Sequence, residues 1–140
     1  MLLFGLACAW ARGLSEEKLR QGEANVFPKR ACDEVLKGGY DGPLYNSFNW
    51  GGYLIWRLYT EDDRQLKVSI DGRTNLHGEE RIRRALDTWA GRKGWRDDPE
   101  LASARLVIIE ATAPLCELLR TDTRFRRVYE DEQAVVFVRR

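Results

Sequence analysis

Two places in this chain pass from a strand-like apolar segment through a short polar elbow, and they limit the possible folds more than any other feature. The first is Asn46-Ser47-Phe48-Asn49-Trp50-Gly51-Gly52-Tyr53-Leu54-Ile55-Trp56-Arg57-Leu58-Tyr59, where a strand end turns into an aromatic-rich helix. The second is Leu66-Lys67-Val68-Ser69-Ile70, which runs into Asp71-Gly72-Arg73-Thr74-Asn75. Asn49 suits the N-cap of the helix, and Gly51 and Gly52 leave room for it to pack closely on a strand. Asp71-Gly72 is a turn signal at the end of the second strand. Tyr53, Leu54, Trp56, Leu58 and Tyr59 make the helix apolar on most sides, so it is expected to be largely buried.

The rest of the chain repeats this alternation. Ser15 is the expected cap of a polar helix, and Phe27-Pro28 opens another that Gly38-Gly39 stops. Leu44-Tyr45-Asn46 is a short strand. Gly78-Glu79-Glu80 opens an amphipathic helix with Ile82, Ala85, Leu86 and Trp89 on its inward face. Arg105 to Glu110 is a continuous apolar run of strand length, as expected of a central parallel strand. Pro114 starts a further helix, and the chain closes with strands at Phe125 to Tyr129 and Ala134 to Val138 around an acidic turn. The order strand–helix–strand–helix–strand–helix–hairpin predicts a three-layer α/β domain. Its sheet is expected to be mainly parallel, with the C-terminal antiparallel hairpin at one edge.

At 140 residues the chain can bury one core without staples. Its 23 Lys and Arg against 22 Asp and Glu give no global charge for holding nucleic acid. The C-terminal arginines read as a solvated face. Three cysteines without close spacing argue against a zinc site or a disulfide framework, and leave a single Cys32–Cys116 bridge open. The uncharged apolar run Met1 to Ala11 is too short to cross a bilayer, which takes about 20 such residues, and lacks a basic leader segment. It fits the end of a transmembrane helix with Trp10 and Arg12 at the interface, or else a helix buried against the domain. The expected division is a membrane-helix remnant over 1–12, a connecting helix over 13–26 and a soluble domain over 27–140.

In open α/β sheets, ligands bind beyond the carboxyl ends of the parallel strands. That rule gathers Asn46, Ser47, Asn49, Trp50, Asp71, Arg73, Asn75, His77 and Glu110 at one edge. Asp71 with Arg73 suits a polar ligand, and Trp50 offers an apolar plate for a sugar. The same residues also have structural uses: a cap at Asn49, a stabilised turn at Asp71 and Asn75, an ion pair at Arg73. His77 is the single histidine, so any histidine-dependent hydrolase would combine it with Asp71 or Ser47. The segment around Ser47 lacks the Gly-x-Ser-x-Gly elbow, Gly51-Gly52 belongs to no phosphate loop, and no cofactor or metal motif is present. Asp62-Asp63 and Asp97-Asp98 read as solvated turns.

Tyr45 to Tyr59 and Ile70-Asp71-Gly72-Arg73-Thr74 resemble parts of the soluble C-terminal domain of bacterial multi-spanning membrane proteins. These are glycosyltransferase-like and related to protein mannosyltransferases. The closing segments around Val128-Tyr129-Glu130-Asp131 and Ala134 to Val138, and the Phe27-Pro28 helix, are similar to the same domain. The resemblance implies a non-catalytic extracytoplasmic accessory or binding domain at the cell membrane, joined to the transmembrane part of a larger parent. With it, the expected ligand of the edge residues Asn46, Asn49, Trp50, Asp71, Arg73 and Asn75 is a saccharide or polyprenyl-linked sugar. The sequence departs from that family at Asn75, where an acidic residue is commoner, and at His77, where a tyrosine is. The catalytic carboxylate of such enzymes lies in an early loop with no counterpart in this sequence. A small hydrolase and a purely structural docking domain are the alternatives.

Overall fold

The computed structural model describes residues 16–59 and 66–140. The expectations for the apolar run, for the Ser15 cap and for the Asp62-Asp63 turn lie outside those residues. Helices α1 (Glu16–Val26) and α2 (Lys29–Gly38) come first, followed by strand β1 (Leu44–Asn46). A single 3-10 turn (Phe48–Trp50) leads into α3 (Gly51–Arg57), then come α4 (Thr74–His77) and α5 (Glu79–Trp89). A second such turn (Trp95–Asp97) precedes α6 (Pro99–Ser103), β2 (Leu106–Glu110) and α7 (Pro114–Thr121). The hairpin β3 (Phe125–Glu130) and β4 (Ala134–Arg139) ends the chain. No helix of the described residues is long and apolar enough to cross a membrane.

The strands form one four-stranded sheet in the order β1-β2-β4-β3. It is mixed: β1 and β2 are parallel, whereas β4 runs antiparallel to both β2 and β3. The hairpin lies at one edge as expected, but it supplies half the strands and leaves β2 parallel to one neighbour only. Side chains alternate in and out along each strand. Leu44, Leu106, Ile108, Ala134, Val136 and Val138 therefore join a cluster with Ala31, Cys32 and Val35 of α2 and Tyr53 and Leu54 of α3. Tyr45, Val107, Ile109, Val135 and Phe137 point the other way, into a cluster with Leu101, Leu115, Cys116 and Leu119. Burial on both faces explains why β2 and β4 read as unbroken apolar runs.

Chain ends of helices are handled locally. Gly39 takes the left-handed conformation (φ 63°) that closes α2, with its amide donating to the Leu36 carbonyl. Asp98 is buried, not solvated: Oδ1 accepts from the Glu100 amide at 2.8 Å to cap α6, while Oδ2 accepts from the Thr88 hydroxyl at 2.6 Å. Arg139 is likewise more than a solvated arginine, since Nε donates to the Ala104 carbonyl and Nη2 to the Ala102 carbonyl at the other end of that helix.

Three expectations about elements need correction. Residues 66–70 do not form a full strand; the backbone ladder is one parallel bridge between Leu44 and Val68. Beyond it the Asn46 and Ser69 side chains take over the bonds that backbone pairing would make. Helix α3 is not largely buried, because Ile55 and Trp56, with Tyr59 just past its end, face solvent. On α5 only Thr88 is fully buried, and Leu86 is half exposed. Its inward face rests on the loop and helix beside it more than on the sheet.

Candidate functional site

The parallel pairing of β1 with β2, and the bridge to Val68, bring three carboxyl ends to one edge of the sheet. The residues found there are Asn46, Asp71 and Glu110. The start of α3 presses on the second of these ends. A Cβ added at Gly51 would strike the Ile70 carbonyl and sit 2.5 Å from Asp71 Cα, whereas Gly52 faces open space. Only the first glycine of the pair is required by packing.

Asn46 is buried and fully used. Its Nδ2 donates to the carbonyls of Ser47 and Ile70 at 2.9 and 2.8 Å. Its Oδ1 accepts from the Ser69 amide at 2.9 Å and from the Ser69 hydroxyl at 3.2 Å, and its own amide donates to Ser69 Oγ. Arg81 of α5 completes the clamp by donating to the Ser69 carbonyl at 2.8 Å while pairing with Glu100. Ser69 and Arg81 carried no sequence signal of this role, since their partners lie far along the chain.

Asp71 is 2% exposed and holds a bidentate pair with Arg73, Nε to Oδ1 at 2.9 Å and Nη2 to Oδ2 at 2.6 Å. The Arg73 amide also donates to Oδ1 at 2.9 Å. Hydrogen bonding from Arg73, strongest in effect and opposed by burial, with further help from His77, holds the Asp71 carboxyl well below the usual carboxylate range. His77 Nε2 lies 3.2 Å from Asp71 Oδ1 and 3.3 Å from the Asp71 amide nitrogen. A proton on Nε2 bonds the carboxylate; a bare Nε2 accepts from the amide instead.

The remaining candidates separate by exposure. Trp50 is 5% exposed and its Nε1 donates to the Val26 carbonyl at 3.2 Å. The plate expected there is inside the core. Asn49 faces solvent without capping a helix through its side chain. Arg73 is outward-facing beyond its pair with Asp71, and Asn75 lies on a groove of about 580 Å³ floored by Ile82 and Leu86. Glu110 accepts from Trp89 Nε1 at 2.9 Å. Ser47 is buried, and its hydroxyl has no hydrogen-bond partner among the described residues. Among those residues no group of three or more His, Cys, Asp or Glu is arranged to hold a metal ion.

The edge thus contains a carboxylate and an imidazole in contact, without a nucleophile bonded to either. No family model, curated protein or solved structure matches the chain.

Proposed function

We propose that this chain is a non-catalytic extracytoplasmic accessory domain of a glycosyltransferase-like membrane protein, attached to that protein's membrane-spanning part. The observation that supports this most is the state of the elbow. Its buried polar groups, Asn46 and Asp71, are bonded to the chain itself, and the Ser47 hydroxyl engages no base. A catalytic centre needs a nucleophile or acid within hydrogen-bond reach of its partner and open to substrate. We read the domain as three layers, with residues 66–70 as a parallel edge segment locked by side chains.

A saccharide or polyprenyl-linked sugar would meet only the outward residues of the edge, Asn49, Arg73 and Asn75. Amide chemical-shift mapping with mannose and with a short polyprenyl phosphate sugar tests this. The expected result is weak shifts centred on those residues and lost in Arg73→Ala. An unchanged response in that variant, or none in the parent chain, removes the ligand site.

A second reading, a small hydrolase, draws on the 3.2 Å contact between His77 and Asp71. It requires ester hydrolysis above the buffer rate that disappears in His77→Gln. A wild-type rate equal to buffer ends it.

A further inference from the structure

Helix α3 carries two apolar stripes, and only one has a partner. Gly51, Leu54 and Leu58 recur at helical spacing and are buried in the core. Gly52, Ile55 and Trp56 recur at the same spacing on the outside, and Tyr59 follows just past the helix end. Ile55 is 43% exposed, Trp56 66% and Tyr59 78%. The stripe is braced from beneath: Trp56 packs edge-on against Tyr53 at 5.6 Å between centroids, and Tyr53 stacks on Phe27 at 4.6 Å. Arg57 lies over the Trp56 ring and is tied to Asp33. Such a row of large side chains, apolar in body and polar at the tips of Trp and Tyr, is unusual on a water-facing helix.

From this we infer that the outer stripe of α3 rests in the headgroup region of a neutral lipid bilayer. The inference builds on the membrane-attached reading above and names the surface it touches. Trp and Tyr are the residues that favour that boundary, and an arginine stacked beside them keeps its charge in the polar layer. Chain length permits it. The Tyr53 hydroxyl donates to Glu23 of α1 at 2.8 Å, so α1 lies beside the stripe. Ala11, which ends the apolar run, can be no more than about 30 Å of chain from Glu23, counting helix rise and extended residues. A run that enters a bilayer therefore keeps the stripe within reach of the same surface. The local charge selects the lipid. Among the described residues of α1 and α3, Glu16, Glu17 and Glu23 balance Lys18, Arg20 and Arg57, so these helices carry no net positive charge. Anionic lipid gains no attraction there, and the contact is through the aromatics.

The test uses the full chain with phosphatidylcholine vesicles brominated near the headgroup end of their acyl chains, in a Trp10→Phe background. Fluorescence from Trp56, obtained by difference against Trp56→Phe, is expected to be quenched, and Trp50, buried in the core, is not. Trp56→Ser with Tyr59→Ser is expected to weaken vesicle binding about tenfold, with the chain still folded and its unfolding midpoint lowered only by the lost contacts of Trp56 with Tyr53 and Arg57. Vesicle binding without Trp56 quenching overturns the inference but keeps the membrane reading, since the apolar run alone then holds the chain. Absence of binding overturns both. A dimer in solution that Trp56→Ser abolishes overturns it in favour of a second copy on the stripe.

Discussion

Asn46 bonds to Ser69 and Ile70, both more than twenty residues away in sequence. Replacing it with alanine strands the Ser69 amide and the Ile70 carbonyl in a buried site. Asn46→Ala is therefore expected to lower the unfolding free energy by about 2–4 kcal/mol, read by urea denaturation; a loss under about 0.5 kcal/mol would mean the clamp carries little. The two glycines of the elbow make a sharper pair. Gly51→Ala forces Cβ into the Ile70 carbonyl and is expected to destabilise by about 1–3 kcal/mol. Gly52→Ala meets open space inside a helix and is expected to stabilise by about 0.5–1 kcal/mol. Equal effects at both positions would refute the close approach of α3 to residue 71. At this scale the sequence is a poor guide to role. An asparagine at a strand end looks the same whether it awaits a ligand or a neighbouring backbone. Trp50 looked like a plate because nothing in its own segment reveals the Val26 carbonyl that its ring nitrogen finds.

Elements were more legible, and the reason is periodicity. The unbroken apolar runs of β2 and β4 announce strands covered on both sides, and the sheet places them at its centre. The stop at Gly39 and the start at Pro114 stand where the residue types predict. Two elements went astray for related reasons. Residues 66–70 have a strand's composition, but Asn46 and Ser69 divert the hydrogen bonds to side chains after one bridge. In α3, an apolar residue is compatible with burial or exposure, and a seven-residue helix touching the core along one stripe leaves the other uncovered. Native-state hydrogen exchange should separate these cases. Amides of β2 and β4 are expected to be protected to the global stability, while those of 66–70 exchange faster through local opening. Equal protection in both would restore the fifth strand.

For the whole molecule, the sheet divides the core into two clusters that share no side chain. Cys32 sits in one and Cys116 in the other, both free and buried, which settles the bridge that sequence left open. Burial pushes the Cys32 thiol up to about 12, and raises Cys116 as well. Both are expected to resist thiol reagents until denaturant is added; labelling of either in the native chain by mass spectrometry would contradict the packing. The α/β class could be read from the sequence, and so could the order of its elements apart from residues 66–70 and the short α4, but the balance of parallel and antiparallel pairing could not. Strand direction at β4 depends on where the hairpin docks, and no local pattern encodes that.

The central claim is that the polar elbow holds the fold together and leaves function to the surface. Asp71 tests it most directly through the stability of the whole domain. Its carboxyl is depressed in the folded state, so its stabilisation is complete above the unfolded value of about 3.9 and is lost as pH falls through the folded one. Equilibrium urea unfolding of wild type and Asp71→Asn should show the variant about 1–2 kcal/mol less stable at pH 7, with the gap narrowing steadily below about pH 4. A variant as stable as wild type, or more so, at pH 7 would contradict the account. It would mark Asp71 as a residue kept for binding or catalysis at the expense of the fold.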